Sequence, residues 1–192
     1  MDESDRFNLF LLPNFLDAEA CANLKAELNQ SPTTQAPVYL QGTPGVIHED
    51  VRKTTSLHPS RETIDDIHQR LMGRRSALED HFGLSLTDCE PPQFLRYVTG
   101  DFFVRHQDGN TRQLDFDHLR VRRISIVVFL NDYSAEPQAN CYGGGLLNFY
   151  DDETTFGLRG ETGLFTAFAA ETTHEVSPVT HGERFTLITW FR

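Results

Sequence analysis

The chain is poor in the features that mark several protein classes. It has three cysteines in 192 residues, at positions 21, 89 and 141. An odd number so widely spaced makes neither a disulfide framework nor a paired zinc site. The longest apolar run, 124–130, is seven residues, whereas a membrane-spanning helix needs roughly 20. No membrane partner is expected. Positive charge is also scarce: 17 Lys and Arg stand against 28 Asp and Glu, a formal net charge of −11. Such a surface repels a phosphate backbone, so no nucleic-acid partner is expected either. The opening Met1-Asp2-Glu3-Ser4-Asp5 lacks the positive region of a secretory leader. A reducing cytoplasmic location is the expectation.

What the chain does have is an ordinary globular composition, 39% hydrophobic and 23% charged, with 15 Phe for a core and 13 Gly with 9 Pro for turns. Its length predicts a single domain spanning 1–192. Within it, 1–92 reads as mostly helical support with substrate-side loops, and 93–192 as a β core. Asp17 is placed to cap a helix over 17–29, whose Ala20, Leu24 and Leu28 recur at helical spacing. Ser60 is placed to cap a second helix over 60–82, with Ile64, Ile67, Leu71 and Leu78 as its buried stripe and Gly83 as its stop. From Gln93 the period falls to two. Strands are predicted at 93–98, 102–107, 121–130, 145–150, 153–158, 163–168, 173–176 and 185–191. Many short strands after a helical region predict a mainly β sandwich or barrel with helices on one face. Loops 131–142 and 38–54 are lid candidates, with passive surface loops as the alternative.

Three pieces carry chemistry. His106 and Asp108 are two apart on a predicted strand, so their side chains point the same way. Alone, that is as easily a surface pair. His174 follows an apolar strand, and with the first pair it makes a two-His, one-carboxylate set. Such a set occupies one face of an octahedral metal, leaves positions open and suits Fe(II). No cysteine lies near for a thiolate zinc site. His181 is a rival third ligand, while Glu175 alternates to the opposite face. Arg184 opens the apolar run 184–191. A guanidinium buried there needs an anion, either a protein carboxylate or a dicarboxylate cosubstrate; a solvent-facing strand end is the other reading.

Taken in order, Tyr97-x-x-Gly100, His106-x-Asp108, Phe129-Leu130-Asn131, Gly144-Gly145-x-Leu147, His174-Glu175-Val176 and Arg184 resemble the Fe(II)/2-oxoglutarate-dependent oxygenases. The resemblance covers about residues 90–192, and more loosely the helical first half, and is closest to the prolyl 4-hydroxylase branch, including the oxygen-sensing prolyl hydroxylases. It implies a double-stranded β-helix, a jelly-roll or cupin-like barrel. It implies Fe(II) on His106, Asp108 and His174, with 2-oxoglutarate chelating the iron and reaching Arg184 with its far carboxylate. Oxidative decarboxylation to succinate and CO2 then accompanies hydroxylation by O2, with ascorbate supporting turnover. Tyr97 matches a tyrosine facing the cosubstrate, or is a half-buried core residue. Arg122 and Trp190 match positions lining the substrate mouth; an exposed strand-end charge and a core indole are the alternatives.

There are departures from that pattern. Phe129 stands where relatives often carry a tyrosine on the far carboxylate, and Phe103 where they carry one near substrate. The segment after Asp108 is longer and bears Asp115 and Asp117. Asp108 itself is present, which disfavours a halogenase. The resemblance implies hydroxylation of a prolyl residue in a protein or peptide. A small-molecule hydroxylase, a non-catalytic metal-binding barrel acting as an interaction module and a zinc hydrolase remain as alternatives.

Overall fold

The computed structural model describes residues 6–40, 43–109 and 117–192. The acidic opening segment 1–5 and Asp115 lie outside them, as do residues 41 and 42 of the second lid candidate.

Two antiparallel sheets form the frame. The larger runs Phe10–Leu12, Phe165–Ala169, Ile124–Phe129, Arg184–Phe191, Gln93–Tyr97, Thr55–Leu57 and Thr33–Gln35. The smaller runs Thr155–Leu158, Leu147–Tyr150, Thr173–Val176, Phe102–His106 and Arg52–Lys53. All eight strands expected after residue 92 are present. Successive strands share themselves between the sheets, as a double-stranded β-helix requires. Among the described residues, hydrogen bonding does not close the two sheets into a barrel.

The sheets are held by apolar packing on two levels. On Ile124–Phe129 every residue is buried. Ile124, Ile126 and Val128 face outward onto the helices, joining Leu24, Leu28, Ile67, Leu71 and Leu78. Val127 and Phe129 face inward and meet Leu147, Phe149 and Phe168 between the sheets. Burying each such aliphatic side chain contributes roughly 1.5–3 kcal/mol. A strand covered on both faces explains the nearly continuous apolar run, broken by Ser125, that marks it in the sequence.

The first helix, Ala18–Leu28, starts as expected, with Asp17 accepting a hydrogen bond from the Ala20 amide. The second expectation needs correction: 60–82 is two helices, Arg61–Met72 and Arg75–Phe82. Ser60 caps the first, but Gly73 lowers helix stability in mid-run. There the Arg74 amide turns back to the Leu71 carbonyl, and the chain bends before continuing. Gly83, with φ 65, ends the second helix in the left-handed region.

Two other expectations change. The first third is less helical than read: Phe10–Leu12, Thr33–Gln35, Val38–Leu40, Thr43–Val46, Arg52–Lys53 and Thr55–Leu57 are all strands. The strand expected over 145–150 is found at Leu147–Tyr150 in the smaller sheet, and an unexpected short strand, Tyr142–Gly144, precedes it and pairs with Val179–Gly182 outside the main sheets. Gly144 and Gly145, at φ 63 and 56, make the corner between them.

Candidate metal centre and its cavity

His106 ends the strand Phe102–His106, and the chain then turns sharply through Asp108. The Asp108 and Gly109 amides both donate to the Ala170 carbonyl. Gly109 is needed at that turn: a Cβ there would strike the Arg122 Cβ and the Leu119 carbonyl. The antiparallel register sets His174 opposite His106. As a result, one ligand atom from each of His106, Asp108 and His174 lies within 4.8 Å of the others. His106 Nε2 is 3.4 Å from Asp108 Oδ1, and His174 Nε2 is 3.5 Å from Asp108 Oδ2.

The backbone orients both imidazoles. His106 Nδ1 donates to the Val104 carbonyl at 2.8 Å, and His174 Nδ1 to the Thr172 carbonyl at 2.9 Å. A carbonyl only accepts, so Nδ1 carries the proton and Nε2 presents its lone pair to the cluster. Burial together with the neighbouring His106 pushes His174 down to about 4. Burial alone would raise the Asp108 carboxyl, yet His174 and His106 hold it well below its ordinary range. At neutral pH Asp108 is therefore a carboxylate and His174 a neutral imidazole; together with His106 they make a donor set that fits Fe(II).

The cluster opens onto a cavity of about 430 Å³ between the sheets, lined also by Tyr97, Arg122, Arg184 and Trp190. Arg184 is 1% exposed. Its Nη1 reaches Thr186 Oγ1 at 3.2 Å, while its buried Nε has no hydrogen-bond partner among the described residues. Its guanidinium lies 5.1 Å from the ring centres of both Tyr97 and Phe129. No protein carboxylate pairs with it among the described residues, and it is not a solvent-facing strand end. Such a donor set fits an incoming carboxylate.

Tyr97 is fully buried, lining the cavity while packing with Leu95, Val176 and Val179 in a core cluster. Phe129 brings a ring against Arg184 but no hydroxyl. The sequence reading missed Tyr142, whose buried hydroxyl also lacks a partner among the described residues. Burial pushes its phenol up, partly offset by Arg184, so it keeps its proton.

Arg122 is no exposed strand end. It is 7% exposed, and its Nε and Nη2 grip the two oxygens of Glu90 at 2.7 Å each. Its guanidinium lies 3.5 Å from the centre of the Trp190 ring. Trp190 also contributes to holding the Asp108 carboxyl low. Glu90 was not anticipated; nothing local in the sequence marks it. Glu175 lies outside the cluster, as expected, bonded to Asn148 and Tyr150. His181 lies outside it too, packed beneath Gly143. Loop 131–142 does not line this cavity. It lines a second one, of about 640 Å³, against the helix Ala18–Leu28. The other lid candidate does contribute, through Val38, Val51 and Arg52.

Facing sheets of double-stranded β-helix order that bring two imidazoles and one carboxylate to a shared cavity define a class, the mononuclear iron oxygenases. The chain belongs to the 2OG-Fe(II) oxygenase superfamily, whose model matches residues 92–192. That family implies Fe(II), 2-oxoglutarate and O2. A PKHD-type hydroxylase of Paraburkholderia xenovorans (strain LB400) is 37% identical over 103 residues, 53% of this chain and 43% of that relative. One from Janthinobacterium sp. (strain Marseille) is 33% identical over 101 residues, 52% of this chain and 42% of that relative. The chain thus spans less than half the length of these relatives. Among solved structures, a Pseudomonas putida prolyl-4-hydroxylase superposes with a TM-score of 0.73 at 26% identity, covering 100% of this chain and 95% of that one. A Trichoplax adhaerens prolyl hydroxylase bound to a hypoxia inducible factor peptide fragment has the same fold: its TM-score is 0.73 at 14% identity, over 99% of this chain and 86% of that one. No helix among the described residues is long and apolar enough to cross a membrane.

Proposed function

We propose that residues 1–192 act as one Fe(II)- and 2-oxoglutarate-dependent hydroxylase unit whose target is a prolyl residue in a protein or peptide. His106, Asp108 and His174 hold the ferrous ion through two Nε2 atoms and a carboxylate oxygen. Arg184 takes the far carboxylate of 2-oxoglutarate, with Tyr97 against it. The observation that carries this reading is the pairing of the cluster with Arg184 in one cavity, where the buried cation has no carboxylate of its own among the described residues. When bound, iron and 2-oxoglutarate supply the chemistry that consumes O2, places one oxygen atom in a C–H bond of the substrate and releases succinate and CO2. The protein's part is to aim the three ligands, anchor the dicarboxylate and keep the apolar walls dry. The prolyl target is supported by likeness to the Pseudomonas putida prolyl-4-hydroxylase along the full chain.

The test begins without oxygen. Adding Fe(II) and 2-oxoglutarate to the purified chain is expected to give a visible charge-transfer band, and Asp108→Ala is expected to abolish it while the far-UV spectrum is retained. A full band in that variant removes the metal assignment. Air and ascorbate are then admitted with prolyl peptides or free amino acids, and products are weighed. A gain of one oxygen by peptides supports the prolyl reading; a gain by free amino acids alone replaces it with the small-molecule one. A chain that forms the band but never turns over is a binding module.

A further inference from the structure

We propose that Arg52 anchors a carboxylate on the substrate, which makes the target a prolyl unit that carries an acid group close by. This rests on the hydroxylase reading above and narrows its substrate class.

Arg52 sits in the two-residue edge strand of the smaller sheet, opposite Phe103. Its side chain lines the metal cavity, yet the residue is only 8% exposed. Nη1 donates to the Pro37 carbonyl at 3.2 Å. The other edge of the guanidinium, Nε and Nη2, is buried and has no partner among the described residues. Those two N–H groups point in parallel and match the two oxygens of a carboxylate. The same molecule displays the filled version: Arg122 uses its Nε and Nη2 to hold both oxygens of Glu90.

The other cavity-lining cations are accounted for. Arg122 is neutralised by Glu90, and Arg105 lies 3.9 Å from Glu175 and over the Tyr150 ring. Arg184 belongs to the cosubstrate in the reading above. With Arg184 assigned to the cosubstrate, Arg52 remains as a cavity-lining cation whose charge-bearing edge is unmatched among the described residues, although the chain as a whole carries an excess of acid. Its neighbour Lys53 has taken the nearby acid, Asp101, at 3.6 Å.

Position favours substrate over cosubstrate. The Arg52 guanidinium lies 4.8 Å from the centre of the Phe103 ring, and that ring stacks on His106 with centroids 3.6 Å apart. One aromatic ring therefore separates the cation from a metal ligand. An acid held on Arg52 therefore sits about one aromatic ring from the metal ligand His106. The acid has two possible sources: the α-carboxylate of a free amino acid or peptide terminus, and an acidic side chain beside an internal proline.

The test uses binding, so it does not depend on turnover. Trp190 is the only tryptophan and lines the cavity, which makes its fluorescence a local reporter. With Mn(II) and 2-oxoglutarate present, the full chain is titrated with N-acetylproline and with its uncharged amide. The acid is expected to bind at least tenfold more tightly. Arg52→Gln is expected to bring the two affinities together, and Arg52→Lys to retain part of the preference. Equal affinity for acid and amide in the unaltered chain overturns the proposal, as does a preference that survives Arg52→Gln. Because the first comparison needs no variant, poor folding of a variant does not protect the idea. Free proline, Ala-Pro and an amidated Pro-Glu peptide then separate the two sources. A carboxylate preference without any oxygen gain on these compounds sinks the prolyl reading while leaving the Arg52 anchor in place.

Discussion

Ser125 donates its hydroxyl to Asp108 Oδ2 at 2.7 Å, the same oxygen that faces His174 Nε2. The serine is 1% exposed and lies in the strand buried on both faces, so it has little freedom to move. That bond restrains the rotation of the carboxylate. Ser125→Ala is expected to weaken Mn(II) binding by about 10–100-fold, the usual range for partners that orient a ligand. The requirement for 2-oxoglutarate is expected to stay within about twofold at saturating metal, on the order of the 0.4 kcal/mol that RT ln 2 represents. Calorimetric titration of metal checks both.

Arg184 makes the opposite pattern. Arg184→Gln removes a charge-assisted grip on the far carboxylate, worth roughly 1.5–3 kcal/mol per hydrogen bond. The half-saturating 2-oxoglutarate concentration is expected to rise by about 10–100-fold, while Mn(II) affinity holds. Succinate formation at increasing cosubstrate measures it. An unchanged requirement returns Arg184 to a structural role.

The Arg122–Glu90 pair decides whether Arg122 is there for substrate or for the fold. Arg122→Met strands a mostly buried carboxylate, and losses of about 3–5 kcal/mol are typical for breaking such a pair. Adding Glu90→Gln is expected to restore most of that stability, because the stranded charge is gone. Urea unfolding of the two singles and the double closes the cycle. If the double variant regains stability but binds prolyl peptides poorly, Arg122 has a substrate role as well.

Acid is expected to destabilise the metal-free chain in a defined window. The ordinary His value is 6.5, and His174 is pushed down to about 4 in the folded state. Above 6.5 the imidazole is neutral in both states and contributes nothing to the pH dependence. Between 6.5 and 4 the unfolded chain binds a proton that the folded chain refuses, so stability falls as pH falls. Below 4 both states are protonated and this loss is complete. The depressed Asp108 carboxyl acts in the same direction at lower pH, removing stability as pH falls below its unfolded value of 3.8. Melting temperatures at pH 7, 5.5 and 4 check the slope, which His174→Gln is expected to flatten above pH 4.

The sequence displays the ligand set well because its spacing is short and its chemistry uncommon. His106 and Asp108 are two residues apart, and His174 follows a strand whose apolar pattern is plain. The eight core strands are legible for the same reason. What escapes is held by contacts distant along the chain. Glu90 meets Arg122 across 32 residues, and neither residue type predicts the other. Arg52 and Tyr142 matter through burial without a partner among the described residues, a property that exists only after packing. The early strands are two to four residues long and several are polar, such as Thr33–Gln35 and Arg52–Lys53, so no alternation announces them. The break at Gly73 is hidden inside a stripe that looks continuous. Loop 131–142 illustrates the reverse error, since its length suggested a lid while its packing turns it toward another cavity.

The doubly buried strand Ile124–Phe129 has a consequence for how the chain is made. Its two neighbours in the larger sheet, Phe165–Ala169 and Arg184–Phe191, both follow it in order of synthesis. The last of them is complete only roughly 60 residues later, on the order of 3–12 s at ribosomal speed. For that whole interval the most apolar segment of the polypeptide lacks at least one of its edge partners, and it invites capture by other nascent chains or by chaperones. Truncations that remove Arg184–Phe191 would make that exposure permanent, so they are expected to accumulate as aggregates instead of as soluble, inactive fragments.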